Sequence, residues 1–389
     1  MNESRPFYIL AMLLSLGGLV FAELVSQNDL FRALARYESV STYYNLLKSY
    51  PHSLDGFPPV IGVTMIVPDN EAFEKIADWD SNDDTKVLNI LRYHIFPGTV
   101  SVGTVEEGTP VFSPTLLDGA RVIIDRQHGD EVVFTSGADR RSMLLEGDID
   151  FSDGVIHIVD TIMAPPPSLG PACRVHKPLS AFLGALYQTN LSEQVPASKN
   201  VTIFAPNNAA FQRTSGAMST LSQSELLEVM KFHIVPTVLY SKDLVNGASW
   251  PTLGGKNITV TVAGNNRYID SSQILDPDIL IEFGVIHMLG DVLNPAEPDA
   301  RPIPTMIAQL PAFELSGSTS TGSKVPVPFT SALPCTADCP MPTGEVTTPE
   351  STPTENGGAE ALASKCTGLA GAMGVGMLGV GMLEAAGVL

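Results

Sequence analysis

What this chain has little of narrows its reading first. Cysteine is scarce: four among 389 residues, at Cys173, Cys335, Cys339 and Cys366. Disulfide-stapled scaffolds are far denser in cysteine, so any domains here stand on hydrophobic cores. The Cys335–Cys339 pair has no second ligand pair at finger spacing, which excludes a structural zinc site. Positive charge is also short, with 22 Lys and Arg against 42 Asp and Glu and a net charge of −20. Nucleic-acid binding and electrostatic docking on anionic lipid both need clustered Lys and Arg, and both are excluded. Catalytic signatures are missing as well: there is no G-x-S-x-G elbow, no H-E-x-x-H helix and no phosphate loop with its lysine. The G-x-G-x-x-G at Gly374, Gly376 and Gly379 lies in an apolar tail without strand–turn–helix context. Asp78, Asp80, Asp83 and Asp84 form a solvated acidic turn, and Asp148-Ile149-Asp150 lacks the glutamate that closes a calcium loop. The chain is therefore expected to carry no catalytic centre, no metal and no cofactor.

What is present begins with two targeting signals. Arg5, the apolar run Phe7–Val20 and the small-residue site Val20-Phe21-Ala22 make residues 1–22 a signal peptide, which sends the chain to an oxidising compartment. At the other end, Gly368–Leu389 is apolar and glycine-rich, behind a polar spacer and the small trio Asn356-Gly357-Gly358. That order is the signal for a GPI anchor, with 359–389 removed and Asn356 as the attachment residue, Gly357 and Ser364 being the alternatives. A glycine-rich helix carrying Glu384 would make a poor membrane span. Cys366 leaves with the tail, and at most one bridge can form among Cys173, Cys335 and Cys339. Residues 298–358 are rich in Pro, Ser and Thr and are expected to form an extended stalk. Glycosylation sequons stand at Asn190, Asn200 and Asn257.

Between these ends the sequence repeats itself. Gly154-Val155-Ile156-His157-Ile158-Val159 returns as Gly284-Val285-Ile286-His287-Met288-Leu289. An apolar, β-branched run of this kind is a buried strand. Val63–Phe73, a strand followed by Pro68-Asp69-Asn70 and Ala72-Phe73, matches Val201–Phe211 with its Pro206-Asn207-Asn208. Helical spacing over Leu88–Phe96 ends at Tyr93-His94 before Pro97, and the same pattern ends at Phe232-His233 before Pro236. A further helix is predicted over Leu30–Leu47, and a β meander over Thr99–Asp150. Three blocks in one order establish a duplication, with domains at 28–167 and 172–297. His157 and His287, inside buried strands, are expected to satisfy backbone groups in the core.

The three blocks resemble the boxes of the fasciclin domain, in order and spacing, over about two thirds of the chain. The resemblance implies an α+β fold: two tandem domains, each a seven-stranded β-wedge with helices packed against it. It also implies adhesion or matrix roles at the cell surface, through contacts with surface or matrix proteins or wall glycans, and membrane attachment through the GPI anchor. Tyr93-His94 resembles a receptor-recognition box of animal members, with Phe232-His233 as its partly altered counterpart. Asp276-Pro277-Asp278-Ile279 resembles a second such motif. Candidate adhesion residues are thus Tyr93, His94, Phe232, His233, Asp276, Asp278 and Ile279; both motifs read first as structural, with His94 and His233 satisfying backbone groups and the aspartate–isoleucine pair turning the chain into its strand. The alternatives to adhesion are a structural wall component and a small-molecule or lipid carrier.

Overall fold

The computed structural model describes residues 29–55, 62–76, 79–80, 82–197, 200–306, 309–313 and 326–333. The signal peptide, Cys335, Cys339, Cys366, the GPI signal and the attachment candidates Asn356, Gly357 and Ser364 lie outside the described residues.

The first repeat begins with the helical segments α1 (29–34) and α2 (Ser41–Ser49). Apolar spacing predicts one continuous helix here, but the chain turns extended at Tyr37 (φ −114, ψ 103). The cause lies downstream, where β1 (Val63–Pro68) runs into the short helix α3 (Asn70–Glu74). Asn70 Nδ2 donates to the Glu38 carbonyl at 2.9 Å, and its Oδ1 accepts from the Thr42 amide at 2.9 Å. One side chain therefore gives α2 its own beginning. The preceding Asp69 caps α3 itself, its Oδ1 accepting from Ala72 N at 2.7 Å. The second repeat reproduces both devices: Asn207 accepts from Ala210 N at 2.8 Å, and Asn208 accepts from Ala181 N at 2.9 Å while donating to the Lys177 carbonyl at 3.1 Å. The Pro-Asp/Asn-Asn box thus starts two helices at once.

The chain then forms α4 (Asp84–Tyr93), β2 (Ile95–Pro97), β3 (Val111–Pro114), β4 (Arg121–Arg126), β5 (Val132–Thr135), β6 (Arg141–Phe151) and β7 (Gly154–Val159). The strands pair in the order β2-β1-β7-β6-β5-β4-β3. β7 is the hub, parallel to β1 with Gly154 opposite Val63, and antiparallel to β6. Being covered on both faces, it reads as an unbroken apolar run rather than an alternating one. Gly154 is required because a Cβ there would run into the backbone of Val63. Long β6 pairs with β5 at one end and β7 at the other, with register shifts between Leu144 and Ile149. Such bulges bend a strand, so the sheet folds into a wedge. Ile66, Tyr93, Phe96, Val122, Ile124 and Phe134 fill its inside. On the outer face Tyr43, Leu47, Met65, Phe73, Leu91 and Ile156 pack between sheet and helices.

The second repeat follows the same plan: α5 (Leu169–Val175), α6 (Ser180–Gln188), α7 (Leu191–Ala197), β8 (Val201–Pro206), α8 (Asn208–Arg213), α9 (Ser215–Thr220), α10 (Gln223–Phe232), β9 (Ile234–Val235), β10 (Ser249–Pro251), β11 (Asn257–Ala263), β12 (Asn266–Ile269), β13 (Ser272–Ile281) and β14 (Gly284–Leu289). Its strand order, β10-β11-β12-β13-β14-β8-β9, is that of the first sheet. Each repeat is α+β, a seven-stranded wedge with helices against it.

The segment expected to stand free as a stalk is in part folded back. Gln309 accepts from Ile303 N at 2.7 Å, and Asn294 Nδ2 donates to the Ala312 carbonyl at 2.9 Å. Phe313, Val327, Phe329 and Leu333 pack against the helical core of the second repeat. Large apolar side chains within an otherwise polar stretch supply the reason.

Candidate functional site

The histidines come first, because imidazoles in apolar runs are natural candidates for chemistry. All four are completely buried. His157 Nε2 donates to the Val100 carbonyl at 2.8 Å and its Nδ1 accepts from Asp148 N at 3.1 Å. His287 does the same with Leu239 O at 2.7 Å and Asp278 N at 3.2 Å. His94 Nδ1 donates to Ile90 O at 2.7 Å and Nε2 accepts from Met163 N at 3.0 Å; His233 bonds Val229 O at 2.8 Å and Leu293 N at 3.0 Å. Each ring is a neutral two-ended bridge between backbone segments. Burial pulls His94 and His233 down to about 4 and lowers His157 and His287 as well, against the opposing carbonyl bonds. With both nitrogens engaged, none has an atom left for proton transfer or metal ligation. Among the described residues no group of three or more His, Cys, Asp or Glu could hold a metal ion.

The candidate adhesion residues part company. Tyr93 is fully buried, its hydroxyl donating to the Arg121 carbonyl at 2.8 Å, and Phe232 is fully buried beside Phe204 and Leu239. With His94 and His233 they face the interior, where no partner can reach them. Ile279 is also buried. Asp278 is half-buried and works inward: its Oδ1 accepts from Ser241 N at 2.8 Å, and the matching Asp148 receives Ser101, Val102 and Gly103. Asp276 is half-buried and Pro277 exposed, so this end of the motif reaches the surface. Burial holds the Asp276 carboxyl above the usual range, with Asp139 adding to the effect.

Beside it lies a feature that residue types alone did not single out. The register shifts of β13, between Ile274 and Ile279, leave Leu275 51% exposed, followed by Asp276. The corresponding shifts of β6 leave Leu145 55% exposed, followed by Glu146, to which the Tyr37 hydroxyl donates at 2.9 Å. The signal that reveals them is Leu144-Leu145-Glu146 set over Ile274-Leu275-Asp276, two adjacent apolar residues where a strand should alternate.

The repeats touch through an aromatic contact. Phe112 of β3 stacks on Tyr240 at 4.3 Å and 29°, with Leu280 and Val285 beneath and Ile123 and Val238 alongside. Arg121 lies 5.7 Å above Tyr240 and Lys242 lies 5.2 Å from Phe112. Glu282 N donates to the Pro167 carbonyl of the linker at 3.0 Å, and His176 meets Asp139 at 3.3 Å. Next to this contact lies a groove of about 470 Å³, lined by Pro114 and Arg121 from the first repeat and Asn200, Pro236, Thr237 and Tyr240 from the second. Asn190, Asn200 and Asn257 are all exposed. Cys173 is buried in the second core, and burial pushes its thiol up to about 12. No helix among the described residues is long and apolar enough to cross a membrane.

Residues 21–165 and 177–295 match the fasciclin domain. A fasciclin-like arabinogalactan protein of Arthroderma benhamiae is 28% identical over 328 residues, covering 79% of this chain and 76% of its own. Periostin of Homo sapiens is 26% identical over 238 residues, covering 60% of this chain and 27% of its own. Among solved structures, the FAS1 domain pair from the insect cell adhesion molecule Fasciclin I aligns over 67% of this chain and 98% of its own, at 19% identity and a TM-score of 0.34.

Proposed function

This chain belongs to the fasciclin-domain family, and from that premise we propose that it is a non-catalytic adhesion or matrix glycoprotein displayed at the cell surface. The observation that carries the reading is the exposed bulge leucine, present at the same place in both repeats beside a carboxylate. One exposed leucine is ordinary. The same leucine held out by two bulges in each copy of a duplicated strand is a repeated feature, and bulges are a known means of aiming a side chain outward. Leu145 with Glu146 and Leu275 with Asp276 would suit a protein partner offering an apolar pocket edged by Lys or Arg. Each contact is small, so strength would come from two repeats per chain and many chains per surface. In this reading Asp276 is the member of the Asp276–Ile279 motif that touches a partner, while Asp278 and Ile279 hold the bulge in shape. Kinship with a fasciclin-like arabinogalactan protein supports a glycosylated surface product, carried by the GPI anchor at Asn356.

The test is aggregation of beads coated with glycosylated ectodomain. The double variant Leu145→Asp, Leu275→Asp should abolish aggregation at unchanged thermal stability. Undiminished aggregation by that variant would remove the bulges from the interface. Treatment of cells with phosphatidylinositol-specific phospholipase should release the protein; retention of a product that still ends in Leu389 would overturn the anchor.

A further inference from the structure

We infer that the oligosaccharide carried by Asn200 lies in the groove between the two repeats and holds them together, an inference that rests on reading the chain as a secreted glycoprotein. Of the three sequon asparagines, Asn200 lines the groove, at its junction with β8; Asn190 and Asn257 do not line it. The groove measures about 470 Å³, within the roughly 300–1,000 Å³ typical of ligand pockets, which leaves room for the first sugars of a chain. Asn200 is exposed and left-handed (φ +63), a conformation asparagine tolerates, so the side chain stays at the mouth of the groove without rearrangement.

The walls suit a sugar chemically. Pro114 and Pro236, one from each repeat, are exposed and offer apolar ring faces to the C–H faces of a pyranose. Half-buried Arg121 lines the wall, donating Nη1 to the Phe112 carbonyl at 3.3 Å and keeping further N–H groups, and exposed Thr237 donates its hydroxyl to the Pro236 carbonyl at 2.8 Å while keeping oxygen lone pairs to accept. These groups can serve the hydroxyls and N-acetyl oxygen of N-acetylglucosamine. Because the sugar is tethered at the rim, its effective concentration in the groove is high and weak contacts are enough.

The order of events is consistent. Thr202, the third residue of the sequon, is fully buried, its hydroxyl donating to the Thr237 carbonyl at 2.6 Å. A transferase cannot read that threonine in the folded protein, so the sugar is attached to the nascent chain. It is then already present when β8 packs and the two repeats close on each other. The sugar would span Pro114 and Pro236 directly beside the Phe112–Tyr240 stack, adding contact area to a small interface.

The experiment uses the glycosylated full chain. Peptide mass spectrometry gives the occupancy of Asn200, Asn190 and Asn257, and an endoglycosidase acts on native and on denatured protein. On native protein the Asn200 glycan should be released at least about tenfold more slowly than the other two, because release needs the groove to open. After denaturation the three rates should become equal. The Asn200→Gln variant should be cut faster by protease in the linker at 164–168, whereas Asn190→Gln and Asn257→Gln should not. An unoccupied Asn200 would overturn the inference by removing the glycan from this site. An occupied Asn200 trimmed as fast as its neighbours, or a linker equally protected in Asn200→Gln, would overturn the seating while leaving glycosylation standing.

Discussion

The backbone of Phe329 occupies the space over helix α6 where a side chain at Gly184 would begin. The Phe329 ring meets Phe211 edge-on at 5.6 Å and 85°, as Trp79 meets the equivalent Phe73 of the first repeat at 5.1 Å and 79°. A residue far downstream thus supplies what the first repeat obtains from the turn after its own helix. In the first repeat the position of Gly184 is filled by Asn45.

Gly184→Ala therefore sets two effects against each other. In a plain helix alanine is better than glycine by about 0.5–1 kcal/mol. Here the methyl overlaps the Phe329 backbone and must lift residues 326–333 away, a change of the overpacking kind costing about 1–3 kcal/mol. The full-length variant should lose about 1 kcal/mol by urea unfolding. In a chain ending before residue 326 the same substitution should be stabilising. A stabilised full-length variant would show that Phe329 is not docked.

The buried imidazoles make both repeats acid-sensitive. His94 and His233 each fall to about 4 through burial, below the ordinary value of about 6.5. A depressed imidazole is neutral in the fold while the unfolded chain takes up the proton first. Stability is therefore complete above about pH 6.5 and is lost as pH falls towards 4, by roughly 3 kcal/mol for each of these two rings. His157 and His287 act in the same direction. Urea midpoints should drop steeply between pH 6.5 and 4.5, with more than one proton taken up per repeat on unfolding. A flat profile over that range would rule this out.

The glycines that open the duplicated strand leave little room for compromise. A Cβ at Gly154 would strike Val63, and one at Gly284 would strike Val201, in both cases on the backbone of the parallel neighbour. Neither backbone can move without breaking the central strand pair. Gly154→Ala and Gly284→Ala should each cost about 3 kcal/mol or more. Limited proteolysis should cut the repeat that carries the substitution first. Equal resistance of both repeats would show that the strands can separate at no cost.

This contrast explains what was legible in the sequence. Gly154, the Pro68-Asp69-Asn70 turn and His157 act through nearby backbone with fixed geometry, so their spacing survives duplication and can be read. The break in Leu30–Leu47 was not legible, because Asn70 causes it from another element. The docking of Phe329 depends on a gap at Gly184, which a composition rich in Pro, Ser and Thr conceals. The structural reading of Tyr93-His94 was open in the sequence, where the imidazole ends an apolar helical run before Pro97, but its partner was not: His94 ends α4 at φ −87, ψ 4, and its ring accepts from Met163 N, far along the chain. Leu145 and Leu275 become visible only when the two strands are aligned and the register shifts counted.

Asp270 runs opposite to the histidines. It is 3% exposed, with Oδ1 accepting from Thr259 N at 2.9 Å and Oδ2 buried without a hydrogen-bond partner among the described residues. Burial pushes the carboxyl up to about 7, against the pull of the Thr259 bond and Arg301. A raised carboxyl holds its proton in the fold after the unfolded chain has lost it. The stability it contributes is present below about pH 3.9 and is lost as pH rises towards 7, leaving a buried charge above that. Asp270→Asn keeps the Thr259 bond and tolerates the left-handed backbone (φ +49). At pH 8 it should therefore raise stability by ~4 kcal/mol, and at pH 4 by almost nothing. Taken with the two buried histidines of the second repeat, this places its stability maximum near pH 7. A gain of equal size at pH 4 and pH 8 would mean that the side-chain charge is not the cause.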